Sequence, residues 1–382
     1  MPELRASLAV LALATALPLA SAPIAAADAS PAMVIAELPG LPGFADNYVT
    51  GLNDLGQVVG SAQRDGVARA VLWSPRGGAT DIGAGLAKAV NEHGQVLGLE
   101  VRSSSRPYSN KAWVWSGGTR TAVAPSSAAW SLAPAINESG VVPLNYSTSS
   151  TAQNHNHAAV LDNGTYAELS LSGPDLWVHG VNDAGVVIGS YASAQYQDFA
   201  AVRCVAATCT RLATVKEGYG PFIPESITES GVVVGNRATI ALRWEGDEVT
   251  VLSGNGRVAH GEEALNERGD AVGWSADATG SPRAVLWPAG GKTVDLGVPA
   301  PSEAVAINER GDVVGYTTAN GSTPRAFLWR DGELTYLDTL GGGYSAPVAI
   351  NNHGVIVGHS STADGVEKPV RWTPAVTSFG GR

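Results

Sequence analysis

Along most of the chain, short runs of Val, Ile, Leu and Trp alternate with clusters of Gly, Asn and Ser, and long amphipathic helical stretches are absent. Apolar runs of this kind, bounded by turn-forming residues, predict many short β-strands. The pattern also recurs. Asn-x-x-Gly, followed by a Val/Ile run and usually another Gly, appears at Asn53-Asp54-Leu55-Gly56-Gln57-Val58-Val59-Gly60 and again at Asn91, Asn137 and Asn182. After a degenerate copy at Thr228 it returns at Asn266, Asn308 and Asn351, with successive starts 38, 46, 45, 46, 38, 42 and 43 residues apart. Each copy then carries a small residue, two mostly apolar residues and Trp, as in Ala70-Val71-Leu72-Trp73, Ala284-Val285-Leu286-Trp287 and Ala326-Phe327-Leu328-Trp329. Trp115, Trp244 and Trp372 hold the same place, and Asp162 and Cys204 stand there in the third and fourth copies. A last phrase, such as Leu334-Thr335-Tyr336-Leu337-Asp338, follows a Gly-containing turn.

These phrases predict four strands per copy and no helix. The first ends at Asn, and Asn-x-x-Gly forms the turn, Asn tolerating its geometry and Gly supplying the positive φ. The Val-Val-Gly run is the second strand, the third ends at Trp, and the Thr-x-x-Leu run is the fourth. A lone four-stranded sheet cannot bury both faces, but sheets stacked radially can, so a repeat of this length predicts the blades of a β-propeller. The recurrent Trp would fill the gap between neighbours. Burying one removes about 150–250 Å² from water, or about 4–6 kcal/mol gross. Met33-Val34-Ile35-Ala36-Glu37-Leu38 resembles a fourth strand, and little chain follows Trp372. An N-terminal strand completing the last blade would close the ring and hide its edges. Eight blades are expected, with seven plus an irregular unit as the alternative because the fifth copy lacks its Asn.

Residues 1–27 stand apart from the repeat. An apolar stretch from Leu8 to Ala20 leads to Ala25-Ala26-Ala27, which reads as a cleaved secretory signal. The stretch is too short, and too interrupted by Pro18, for a membrane span. The expected mature chain is therefore a single repeat domain, residues 28–382, secreted or periplasmic and not inserted in a membrane. Its net charge of −11 argues against nucleic acid, which needs clustered Lys and Arg. The two cysteines, Cys204 and Cys209, suit a structural disulfide across a hairpin in an oxidising compartment. Their spacing is not the redox C-x-x-C, and two thiolates alone make a poor zinc site.

The combination of Ile350-Asn351-Asn352-His353-Gly354-Val355-Ile356-Val357-Gly358, Ala326 to Trp329 and Leu340-Gly341-Gly342 resembles the HAF family of probable extracellular repeats. The resemblance spans the whole expected mature chain. It departs in copies three to five, and Arg325 stands where the name-giving His would precede Ala326 and Phe327. It implies a repeat fold and export, and brings little knowledge of function.

Candidate chemistry lies in the variable loops on the face opposite the Asn turns. Trp130, Trp177, Tyr219, Phe222 and Tyr344 are read as lying just before the first strands of their units. Aromatics on a polar rim suit sugar stacking, with Asp175, His179, His260, Glu262 and Glu263 as hydrogen-bonding partners. The competing reading is that these residues plug the channel or pack between loops. Glu262 and Glu263 are adjacent and would point to opposite faces of a strand, which favours surface acids over a catalytic pair. His155-Asn156-His157 lacks a third ligand for a metal. No nucleophile elbow, zinc-protease helix, phosphate loop or EF-hand is present, so no cofactor or metal is expected. The sequence therefore leans away from an enzyme. A non-enzymatic scaffold for a glycan, peptide or protein ranks first, ahead of a structural assembly protein and a propeller glycoside hydrolase or lyase.

Overall fold

A computed structural model describes residues 32–101, 110–149, 157–171, 175–193, 198–216, 220–319, 321 and 323–375. The expected signal segment, Tyr219, His155 and Asn156 lie outside them. Eight four-stranded antiparallel sheets form a ring, an eight-bladed β-propeller. Blade 1 runs Asp46–Leu52, Val58–Arg64, Val67–Trp73 and Ala79–Ala84 from the channel outwards. Thr228, despite its missing Asn, belongs to a full fifth blade: Phe222–Ile227, Val233–Arg237, Ile240–Glu245 and Glu248–Ser253. The blade count is eight, not seven. The remaining innermost strands are Leu86–Val90, Trp130–Leu132, Asp175–Val181, Gly256–Val258, Ser302–Ile307 and Gly341–Ile350. Blade 8 takes its outer strand from Met33–Glu37, which pairs antiparallel with Glu367–Pro374, Met33 opposite Pro374. Among the described residues the only helical element is a 3₁₀ turn at Glu262–Ala264, and no helix is long and apolar enough to cross a membrane.

The turn asparagines do more than shape their own turns. Asn53 Oδ1 accepts from the Gln57 backbone N–H at 2.8 Å, while its Nδ2 donates to the Asn91 carbonyl at 2.9 Å. Asn91, Asn137 and Asn182 each donate in the same way to the carbonyl of the next turn, and so do Asn266 and Asn308. Asn351 donates to Asn53 at 3.1 Å and closes the belt. One link of the eight is missing, from Thr228 to Asn266. The residue after each turn asparagine builds a second belt: its backbone N–H donates to the side chain of its counterpart in the next blade. This belt passes through Asp54, Glu92, Glu138, Asp183, Glu229, Glu267, Glu309 and Asn352 and returns to Asp54 without a break. Seven of the eight are charge-assisted, a turn amide meeting a carboxylate, and the eighth meets the amide oxygen of Asn352.

The apolar residues collect between blades. Trp73 packs with Val49 and Val58 of blade 1 and with Ala349 and Val357 of blade 8, and Trp372 packs between blades 7 and 8. The indole N–H groups of Trp73, Trp244 and Trp372 donate at 2.7–2.8 Å to Pro39, Ala213 and Asp338, in the segments that lead into the innermost strands of their own blades. In these three blades the Trp thus fills the gap and ties down the crossover, whereas Trp115 and Trp329 are half-buried. In blade 4 its place is taken by Cys204, which is fully buried and bonded to Cys209 across the hairpin of Phe199–Val205 and Thr208–Arg211.

A candidate site in the central channel

Most innermost strands carry a β-bulge, and the bulged residue stands three before the turn residue. The register skips Thr50, Lys88, His179, Glu225, Val305 and Val348. A bulge adds an unpaired residue and re-aims its side chain. The last Gly of the Val-Val-Gly phrase makes room for it. A Cβ on Gly60 would lie 1.8 Å from the Tyr48 carbonyl oxygen, and one on Gly189 would lie 2.3 Å from that of Trp177. Blade 3 supplies the contrast. Leu144 stands in place of that Gly, and the innermost strand, only Trp130–Leu132, pairs without a register shift. In blade 6 the strand stops at Val258, and the 3₁₀ turn sets Glu263 three residues before Asn266.

Seven of these eight positions line one cavity of about 510 Å³ in the channel: Thr50, Lys88, Pro134, His179, Glu263, Val305 and Val348. His260, Glu262 and Tyr316 share it. The eighth, Glu225, is buried and lies 3.1 Å from His260 Nδ1, while Asn236 donates to the same carboxylate oxygen at 3.0 Å. His179 Nε2 lies 2.7 Å from Ser190 Oγ, and the Tyr316 hydroxyl donates to Glu303 at 2.9 Å. A smaller cavity of about 230 Å³, bordered by Glu138, Asp183, Glu229 and Glu309 of the acidic belt, also touches Glu262.

Enclosure dominates the electrostatics. Glu262 reaches lumen water, but a channel walled by protein solvates a carboxylate poorly. Its pKa rises to about 7, first through this desolvation and then through Asp183, with Lys88 opposing. Glu263 rises to about 8 through desolvation and the neighbouring Glu262. Desolvation lowers the pKa of Lys88 and of His179, whereas the bond to Glu225 raises that of His260. Tyr316 is pushed up to about 12 by burial and Glu303. An ammonium, two imidazoles and two carboxyls that titrate near neutrality thus share one cavity. Such shifts gather where proton transfer or charged ligands are handled, although structural networks produce them too.

Of the residues singled out in the sequence, the channel brings together His179, His260, Glu262 and Glu263. The two glutamates are not surface acids on a strand; the 3₁₀ turn directs both into the cavity. The four singled-out aromatics among the described residues, Trp130, Trp177, Phe222 and Tyr344, lie within the first strands, not before them, and they pack. Trp130, 3% exposed, stacks on half-buried Trp177 with ring centroids 6.0 Å apart and planes at 20°. Phe222 is buried against Trp244, Asp175 is buried, and Tyr344 is half-buried with its backbone N–H on Ser361. His157 stacks on Tyr146. Among the described residues no three His, Cys, Asp or Glu side chains converge as metal ligands. Sequence reasoning missed Lys88, Glu225 and Tyr316. A signal for the first two existed: the third position before each turn Asn varies while its neighbours repeat.

No protein-family model matches the chain, and no curated protein matches it in sequence. The solved structures that resemble it share the propeller fold at low identity. Dipeptidyl peptidase 4 of Porphyromonas gingivalis aligns with a TM-score of 0.51 and 10% identity over 81% of this chain and 55% of that one. A streptogramin B lyase structure aligns at 0.46 and 9% identity over 90% and 98%. A catalytically inactive virginiamycin B lyase from Staphylococcus aureus, with quinupristin, aligns at 0.44 and 11% over 89% and 99%. At these identities the likeness is one of fold, and the chain joins the propellers by architecture alone.

Proposed function

We propose that the protein is an exported binding propeller that takes a small polar ligand in the central channel. The observation that carries this reading is the ring of positions three before each turn residue, which gathers Lys88, His179 and Glu263 with His260 and Glu262 around a cavity of about 510 Å³. Ligand pockets of roughly 300–1,000 Å³ with a few convergent polar groups are the usual form of a small-molecule site. Export is supported by the leader-like N-terminal segment, the resemblance to extracellular HAF repeats and the Cys204–Cys209 bond. The test is an array of glycans and short peptides, probed with residues 28–382 while product release is followed. A specific hit that weakens about tenfold or more in both Lys88→Met and Glu263→Gln is expected, the first losing a charged donor and the second the carboxyl that titrates near pH 8. A hit indifferent to both substitutions overturns the channel site.

One observation favours a second reading, a propeller hydrolase or lyase. Glu262 and Glu263 are two acids at a single cavity with pKa values near 7 and 8, in the range where a carboxyl serves as proton donor. Turnover abolished by Glu262→Gln or Glu263→Gln would decide for catalysis.

A further inference from the structure

Blades 2 and 6 stand opposite one another in a ring of eight, so Lys88 and the pair Glu262 and Glu263 hold facing walls of the channel cavity. Blades 7 and 8 bring Val305, Pro347 and Val348 to the arc between them, which is apolar. All three charged side chains reach the lumen: Lys88 and Glu262 are exposed and Glu263 is half-buried. Lys88 and Glu262 each favour the other's charged form across the cavity, yet no ion pair closes between them. Lys88 donates to the Ala133 carbonyl at 3.3 Å, and neither carboxyl has a hydrogen-bonding partner among the described residues. The two imidazoles, by contrast, are already answered. Glu225 holds His260 at 3.1 Å. The Ser190 hydroxyl donates to the Phe222 carbonyl at 2.6 Å, so it accepts from His179 Nε2–H and leaves Nδ1 as an acceptor on a neutral ring.

We propose, resting on the channel site above, that its ligand is a small zwitterion with an aliphatic side chain, an α-amino acid or short peptide. The ligand's carboxylate meets Lys88 and its ammonium meets Glu262 and Glu263. Opposite charges that face each other across a gap without pairing are bridged by a molecule carrying the complementary charge at each end. In an enclosed lumen a paired charge is far better placed than a lone one. The arc of Val305, Pro347 and Val348 takes the aliphatic side chain out of water. A neutral sugar would leave all three charges unanswered.

The test titrates residues 28–382 by calorimetry with leucine and leucyl-leucine, and with the N-acetylated and the amidated form of each. Saturable binding of at least one zwitterion is expected, the tighter of the two reporting the span from Lys88 to the glutamates. Blocking either end should weaken that ligand at least about tenfold, the scale of one charge-assisted bond. The variants should erase these preferences separately. Lys88→Met should bind the amide as well as the acid, and Glu262→Gln with Glu263→Gln should bind the acetylated form as well as the free amine. Lys88→Arg, which keeps the charge, should keep the preference for the acid, and reports on the site even where the Met variant is unstable. Free and blocked ligands binding alike, or preferences unchanged in the Met and Gln variants, overturns the proposal. Silence of all six ligands does the same; a hit on the glycan and peptide array that still weakens in Lys88→Met and Glu263→Gln would then keep the channel site and remove only the zwitterion.

Discussion

At Thr228 a hydroxyl performs half of what asparagine performs at the other seven turns. Its Oγ1 accepts from the Val232 N–H at 3.0 Å, but it has no amide to donate to the Asn266 carbonyl. Thr228→Asn should restore the eighth link. A single net hydrogen bond contributes about 0.5–1.5 kcal/mol, which in a chain of this size raises Tm by roughly 1–2 °C. Calorimetry would show it, and an unchanged Tm would mean that the Asn266 carbonyl is already served. The turn itself was legible, since Asn and Gly announce it. The belts were not, although the acid after each Asn was in plain view at Glu92, Glu138 and Asp183. Their partners lie 38–46 residues away, and no local pattern states that two distant turns abut.

At the level of the strand, the Val-Val-Gly phrase encodes a bulge, and the bulge chooses which side chain enters the channel. Gly189→Ala would press a Cβ against the Trp177 carbonyl oxygen, from a distance of 2.3 Å. The expected loss is about 1–3 kcal/mol of stability, typical of overpacking, together with a displaced His179 resonance. Denaturant unfolding and histidine NMR would measure both, and a variant matching the parent in each would show that the glycine does not make room for the bulge. Strand identity and order were readable because period and turn chemistry are local. The bulges were not, because a skipped residue leaves the alternation of a short strand looking intact. The aromatics misled for a related reason: Trp130 and Phe222 look like rim residues until the strands they open are seen to set both inside a blade seam.

Across the whole molecule, two sets of groups pull stability in opposite directions with pH. Glu262 and Glu263 have pKa values of about 7 and 8, above the unfolded carboxyl value, so the folded state binds the extra protons. Their contribution is fully present below about pH 4.5 and is lost as pH rises through their folded values. His359 is the reverse case. Burial holds its pKa at about 4, and its Nε2 accepts from the Val49 N–H at 3.1 Å across the seam of blades 1 and 8. Its contribution is present above about pH 6.5 and is lost as pH falls towards 4. Thermal melts should therefore peak in mildly acidic buffer. Glu262→Gln with Glu263→Gln should flatten the alkaline limb and leave the acid limb, where His359 acts. An alkaline limb unchanged in that variant would count against the channel electrostatics.

The seam at blade 8 also bears on how freely the chain order can be rearranged. Ala375 donates to the Ala32 carbonyl at 2.7 Å, so the first and last described strands end side by side. A short linker joining them, with a new opening at the exposed Gly290-Gly291 turn of blade 6, would move the two-part blade from position 8 to position 6 and leave every belt contact in place. Such a circular permutant should fold to the same ring. The point at which the polypeptide starts is then an accident of linear order, and the closed circuit of turns is the unit that persists.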